Sequence, residues 1–281
     1  LALMNPAFEH AAACASEIRL LGRRFTASGA RDSTEARLAS RAAVRPIDYM
    51  RWAEFEAILR MLDLRPGQRV LDVSSPQWFT LQLAARHPDV RFSYVNILES
   101  EMAPFRAIAG TLGLRNLEYR LADVRQLDWP SDTFDAVISI SVLEHVPDGS
   151  LLLTVPCKDR PNVVYMDGPV YERGDSGKNF FAREYDMASF HDLVSRTGFV
   201  VDREWRIEEQ PGLFAVDFWE WAEGSRQRVW PWVIRNRGKV ERLSRLPVEQ
   251  MLAKRYLRIN SQPDARLVNV AASLKPAALQ A

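Results

Sequence analysis

The stretch ADVRQLDWPSDTFDAVISISVLEHVPD, residues 122–148, decides the fold. Asp132–Asp135 has the polar composition of a turn, and Ala136–Ser141 after it is almost wholly apolar. A run of that length and character reads as a strand covered on both faces. Working back from it, the same unit recurs. Gln68–Val73 is a strand, Gln77–His87 carries Trp78, Leu81, Leu83 and Ala84 at helical spacing, and Val90–Ile97 is a strand. Ser100–Leu112 is a helix stopped by Gly113, and Asn116–Leu121 is a further strand. Working forward, Leu151–Val155 is a strand, Asp186–Thr197 a helix stopped by Gly198, and Phe199–Ile207 a strand. A last alternating strand spans Arg266–Ser273. Strands alternating with helix-length segments predict an open, mostly parallel sheet with helices on both faces. Such sheets take ligands outside the carboxyl ends of their strands. The loops to watch therefore follow Val73, Ile97, Leu121 and Ser141.

One connection is too short. Only Val142–Ser150 joins two strands that should run parallel, and such a crossover needs about a dozen residues or more. Residues are therefore expected to be missing between about Pro147 and Ser150. The opening Leu-Ala-Leu-Met suggests leftover tag or an incomplete start, so 281 residues is read as a lower bound.

Toward the N-terminus, Asn5–Phe25 shows a loose helical stripe with Asn5-Pro6 as a cap. Gly29–Arg45 is polar, a loop or short helix, and Pro46–Leu64 is a clearer helix closed by Pro66-Gly67. The organisation is a helical extension over 1–64, a core over 65–212 and 265–276, and a helical insertion over 213–264. Composition excludes other classes. The chain is 47% hydrophobic and 26% charged, which rules out a disordered or collagen-like chain. No run approaches the ~18 apolar residues of a membrane span, and no secretory signal is visible. Two distant cysteines and four scattered histidines offer no metal spacing, so no metal is expected and a reducing cytoplasm is the default. A net charge of +1 gives no global field for nucleic acid. Lysine occurs only at 158, 178, 239, 254 and 275, an arginine bias of the kind a GC-rich bacterial genome produces.

RVLDVSSP at 69–76, YVNI at 94–97, residues 122–148 and LLLTVP at 151–156 resemble class I S-adenosylmethionine-dependent methyltransferases. The resemblance covers about Met50–Gly212 and returns at Arg266–Ser273. It implies a Rossmann-like fold with a seven-stranded, mostly parallel sheet and an antiparallel last strand. It also implies S-adenosylmethionine as cofactor and methyl transfer to a small-molecule or lipid-like acceptor. Carried onto this chain, the cofactor contacts are Asp72, Ser74, Asn96, Glu99, Asp123, Val124 and Ser141.

Two places depart from the family. Ser74, Pro76 and Trp78 stand where the family has three glycines, which permit unusual backbone angles and close approach to the cofactor. Asn96 replaces the acid that ends the second strand, accepting through one side-chain oxygen where a carboxylate offers two. Glu99 is the expected substitute, and a loop cap is the plain alternative for Asn96. His145 is the candidate general base, with a structural role as its alternative. Tyr165, Tyr171, Tyr185 and Phe180-Phe181 either wall an acceptor pocket or pack a core under a long loop.

Between 226 and 258, ten basic residues stand against Glu241 and Glu249, and Trp230 and Trp232 lie among them. A solvated helical face is the plain reading. Peripheral contact with an anionic membrane surface, on the inner face for a cytoplasmic protein, is the other. The altered glycine loop also leaves open a catalytically inactive binding or scaffold protein on the same fold.

Overall fold

The computed structural model describes residues 8–29, 32–130, 133–142, 153–158, 160–170, 176–196, 199–209, 236, 239–240, 243, 247–259 and 266–276. The chain divides into two compact units. The first is Leu1–Leu62 with Arg206–Val268, and the second is Asp63–Trp205 with Asn269–Ala281.

In the first unit, α1 (Glu9–Ala27), α2 (Thr34–Val44) and α3 (Tyr49–Met61) pack through small residues and buried charge. The segment Gly29–Arg45, polar in sequence, holds a helix because Ser33 caps it, its Oγ accepting from Ala36 N at 3.1 Å. Ala36, Ala39 and Ala42 form the buried stripe of α2. Gly22 of α1 sits against that stripe, and a Cβ there would lie 2.6 Å from Ala39 O. Only glycine fits so close a helix contact.

The third helix is buried nearly all round, Glu54 and Glu56 included. Glu56 serves the start of α1: its carboxylate accepts from Ala11 N at 2.9 Å and from Arg60 Nε at 2.6 Å, and meets His10 Nδ1 at 3.1 Å. The same unit holds α7 (Val248–Tyr256), β9 (Leu257–Ile259) and the end of β8 (Phe199–Glu209). Arg45 pairs with the buried Glu249 at 2.7 Å, and the Tyr49 hydroxyl donates to Glu209 at 2.9 Å. Paired buried charges add little net stability, but removing one partner strands the other and costs about 3–5 kcal/mol.

The second unit carries the parallel sheet. Its strands are β1 (Arg69–Val73), β2 (Arg91–Asn96), β3 (Leu117–Leu121) and β4 (Ala136–Ile138), in spatial order β3-β2-β1-β4, all parallel. The flanking helices are α4 (Gln77–Arg86) and α5 (Glu99–Leu112). Gly113 ends α5 at φ 75°, and the turn closes by Leu114 N donating to Ala109 O at 3.0 Å. Strand β1 is buried from Val70 to Val73, whereas β3 at the edge is half-exposed. Leu71, Val73 and Val95 form a cluster closed by Val124, Leu127, Trp129, Phe134 and Val137. Trp129 and Phe134 are partly buried against this cluster and meet edge to face at 5.0 Å, with Arg120 stacked 4.5 Å over Trp129.

The expected single seven-stranded sheet is resolved differently. A second sheet has the order β5-β10-β8-β9, with β5 at Leu153–Val155 and β10 at Arg266–Pro276. β10 is antiparallel to β5, as expected of the last strand. A parallel bridge, Ile140 to Thr154, links β4 to β5. The short connection between them, its suspected gap at 147–150 and His145 lie outside the described residues.

The long loop expected after β5 contains an antiparallel ribbon, β6 (Asn162–Asp167) with β7 (Lys178–Glu184). Its strands are half-exposed and shifted by an irregularity at Val164/Tyr165, which blurs the alternation that marks a strand in sequence. Tyr165 and Phe180 face each other across it at 6.4 Å, while Tyr185 is buried. Tyr171 lies outside the described residues. Helix α6 (Met187–Ser195) follows behind a capping box made by Asp186 and Ser189. Among the described residues no helix is long and apolar enough to cross a membrane.

Candidate functional site

The carboxyl ends of β1 to β4 lie side by side in the second unit, and the backbone there is unusual. Among the described residues three non-glycine residues have positive φ: Asp32 at 57°, Ser74 at 53° and Ser141 at 52°. Ser74 directly follows β1, and Ser141 lies three residues beyond β4, the strand paired with it. A left-handed backbone costs a non-glycine residue about 1–2 kcal/mol, and such strain persists where surrounding bonds over-determine it. They do so here. Ser74 N and Oγ both donate to Val95 O, at 2.9 and 2.8 Å. Ser141 N donates to Thr154 O at 3.1 Å and to Thr154 Oγ1 at 3.0 Å.

The other two glycine replacements are accommodated as well. Pro76 takes the cap position of α4, where its missing N–H costs nothing, and its carbonyl accepts from Phe79 N at 2.8 Å. Trp78 turns toward α5 and meets Phe105 edge to face at 5.6 Å. The loop therefore follows a glycine-type path at Ser74 without glycine.

Asp72 braces this loop from below. It is fully buried; Oδ1 accepts from Ser75 N at 3.0 Å and Oδ2 from Thr80 Oγ1 at 2.7 Å. Burial pushes its carboxyl up from 3.8 to about 6, against the opposing pull of those hydrogen bonds. Asp72, Tyr94 and Tyr119 are register partners across β1, β2 and β3 and share one face. Burial, with the Asp72 charge second, pushes the Tyr94 hydroxyl well above its ordinary value. That hydroxyl donates to Ser75 O at 3.0 Å, and Ser75 Oγ accepts from Ile140 N at 3.1 Å. A single polar network thus ties the ends of β1, β2 and β4.

At the end of β2, Asn96 is nearly buried. Its Oδ1 accepts from Leu98 N at 2.9 Å and its Nδ2 donates to Glu101 Oε2 at 3.2 Å. Glu99, the carboxylate expected beside it, pairs with Arg106 instead. Glu101, also in the first turn of α5, returns its side chain toward the strand end at Asn96, whereas Glu99 turns to Arg106. Sequence reading missed Glu101, Gln77, Ser75, Thr80 and Tyr94. The available signal was a second acid in the first helical turn.

Beyond β3, Asp123 caps a short turn, Val124–Gln126. Its Oδ1 accepts from Arg125 N and Nε, each at 3.0 Å, and its Oδ2 from Arg125 Nη2 at 2.7 Å. The Val124 N–H has no acceptor among the described residues. His191, on α6, pairs with Glu204 at 2.6 Å. Among the described residues no group of three metal-ligating side chains is gathered.

A parallel sheet in the order β3-β2-β1-β4 with flanking helices is an α/β, Rossmann-like arrangement. Residues 71–154, within the second unit, match the family model of the methyltransferase domain. A curated relative, phosphoethanolamine N-methyltransferase 3 of Arabidopsis thaliana, is 34% identical over 89 residues, 31% of this chain. The match spans only 18% of that relative's length. Among solved structures, coclaurine N-methyltransferase bound to N-methylheliamine and SAH aligns at 15% identity and TM-score 0.48, over 79% of this chain and 70% of its own. The [4+2]-cyclase SpnF aligns at 15% identity and TM-score 0.45, over 79% and 82%.

Proposed function

We propose that the protein transfers the methyl group of S-adenosylmethionine to a small-molecule or lipid-like acceptor, with the carboxyl edge of β1–β4 as the cofactor site. The observation that carries this reading is the left-handed backbone at Ser74. The chain keeps there, at an energetic cost, the conformation that glycine would supply freely.

When bound, S-adenosylmethionine supplies an electrophilic methyl carbon whose sulfur departs with the bonding pair. The chain's part is to hold and orient the reactants and exclude water. The loop Ser74–Gln77 receives the cofactor, while Asp72 holds that loop from beneath. The free Val124 N–H suits an acceptor nitrogen of the adenine ring, and Asp123 suits its amino group once Arg125 shares the carboxylate. Ser141 marks the methyl-bearing side. His145 is assigned as the base that takes a proton from the acceptor. The name of the Arabidopsis relative supports an acceptor the size of a phosphorylated amine headgroup. The basic segment 226–258 supports a second, compatible reading, peripheral contact with anionic membrane. It is tested by co-sedimentation with anionic vesicles before and after charge reversal at Arg235, Arg237 and Lys239.

Calorimetry with S-adenosylmethionine and S-adenosylhomocysteine tests the main reading. Saturable heat and a raised melting temperature are expected with both. Absence of both effects at millimolar ligand sinks it and leaves a binding or scaffold role on the same fold.

A further inference from the structure

The amino edge of the parallel sheet, opposite the carboxyl ends of its strands, holds a groove of about 770 Å³ wholly within the second unit. That volume lies in the range of roughly 300–1,000 Å³ typical of small-molecule sites. Arg69 opens β1, Arg91 opens β2 and Arg115 lies two residues before β3, and all three line the groove. Each is exposed, and none pairs with an acid among the described residues. Arg69 and Arg91 are register partners on neighbouring strands about 4.8 Å apart, so their like charges leave one face together. Side-by-side cations repel and weaken strand pairing. An anion held between them turns that repulsion into attraction.

The frame around these side chains is fixed. Asn116 Nδ2 meets Ala84 O, His87 O and Val90 O at 3.0, 2.9 and 2.9 Å, which locks the end of α4 and the start of β2 to the start of β3. Arg91 N donates to Gln68 O at 2.9 Å, and Gly67 N donates to Asp89 O at 2.8 Å. The Arg69 guanidinium lies over the Phe134 ring, 5.4 Å from its centroid. Two carboxylates complete the lining. Ser93 Oγ donates to one oxygen of Glu118, and the Asp89 carboxylate has no donor among the described residues. Guanidinium forks match the geometry of phosphate oxygens, and carboxylates accept from hydroxyl and amino groups.

We propose that this groove is a second binding site, for a phosphorylated small molecule of nucleotide size. Arg69, Arg91 and Arg115 hold its phosphate groups, and Asp89 and Glu118 accept hydrogen bonds from its organic part. The proposal stands apart from the cofactor reading, since S-adenosylmethionine carries no phosphate and its assigned loops lie at the other end of the strands.

The test is calorimetry on the full chain with pyrophosphate and adenosine diphosphate. Salt is kept at about 0.15 M, which screens diffuse attraction between exposed charges. S-adenosylhomocysteine is present in excess, so that adenosine does not enter the cofactor site. Both probes are expected to bind saturably, adenosine diphosphate the tighter because only it reaches the carboxylates. Arg91→Ala and Arg115→Ala should each weaken both probes about tenfold or more, the scale of one lost bond to a charged group. The melting temperature of the free chain should not move, because both side chains are exposed. Arg91→Lys keeps the charge without the fork and should fall between. Arg196→Ala removes an exposed cation at the end of α6, outside the groove, and should change nothing.

Absence of saturable heat with both probes at millimolar concentration overturns the proposal. Equal losses in Arg196→Ala and Arg91→Ala overturn it as well, since the attraction would then be diffuse. No gain of adenosine diphosphate over pyrophosphate also overturns it, because the carboxylates would contribute nothing. Tighter binding of a short single-stranded oligonucleotide, abolished by Arg91→Ala, would make the groove a nucleic-acid face instead. Failure of S-adenosylhomocysteine to bind overturns the cofactor reading and leaves this test intact.

Discussion

The two edges of the parallel sheet manage the same geometry in opposite ways. At the amino edge, left-handed turns precede β1 and β3 and fall on Gly67 at φ 86° and Gly113 at φ 75°. At the carboxyl edge they follow β1 and β4 and fall on Ser74 and Ser141. Glycine takes that conformation without strain, and serine does not. The amino edge also holds a groove of about 770 Å³ lined by Arg69, Arg91, Arg115, Asp89 and Glu118. Arg69 and Arg91 are register partners there, like charges side by side in solvent. Volume alone would make that groove a candidate site. Strain, a buried carboxylate and a continuous hydrogen-bond network favour the other edge, because these features cost stability and need a reason to persist.

The strongest way to sharpen the contrast is Asp72→Asn. Because burial raises the Asp72 carboxyl to about 6, the native chain binds its proton more tightly than the unfolded chain between about pH 4 and 6. Its contribution to stability is therefore full below pH 4 and is lost as pH rises through 6, by about 3 kcal/mol at ~1.4 kcal/mol per unit. Asparagine keeps an acceptor for Ser75 N and does not titrate. Denaturant unfolding at pH 4.5 and 7.5 should show the variant gaining on the parent chain as pH rises. A pH-independent difference would break the account of the brace.

Next in size is Ser74. Ser74→Gly relieves left-handed strain but gives up the Oγ bond to Val95 O, so stability should move by less than about 1 kcal/mol. Ser74→Val adds a branched side chain to the same backbone and should cost about 2 kcal/mol in thermal unfolding and most of the cofactor affinity. Equal tolerance of both substitutions would mean the loop does not need its left-handed turn. The smallest effect is expected at the other edge. Arg91→Ala with Arg115→Ala should leave S-adenosylhomocysteine binding and the melting temperature within error, since neither side chain pairs with an acid among the described residues. A clear loss of binding would move the site to the amino edge.

Much of the core was legible in sequence. The alternation of Gln68–Val73, Val90–Ile97, Asn116–Leu121 and Ala136–Ser141 with helical segments specified a parallel sheet, because doubly covered strands leave continuous apolar runs. The loops to inspect followed from the same pattern, and the antiparallel last strand from the family resemblance. The ribbon β6–β7 was not legible, since half-exposed strands with an irregular register carry no clean alternation. α2 was legible only as a loop or short helix, because buried alanines give a weak apolar stripe among arginines.

By itself the sequence determined the class of fold and the set of loops at its carboxyl edge, because hydrophobic period is a local property of the chain. Only the tertiary structure decided which acid stands where. Glu99 and Glu101 are near-equivalent in sequence, yet one pairs with Arg106 and the other with Asn96, since a helix turns them to different neighbours. Likewise Ser74 looked like a lost glycine until Val95 O was found holding its N–H and hydroxyl in the left-handed turn.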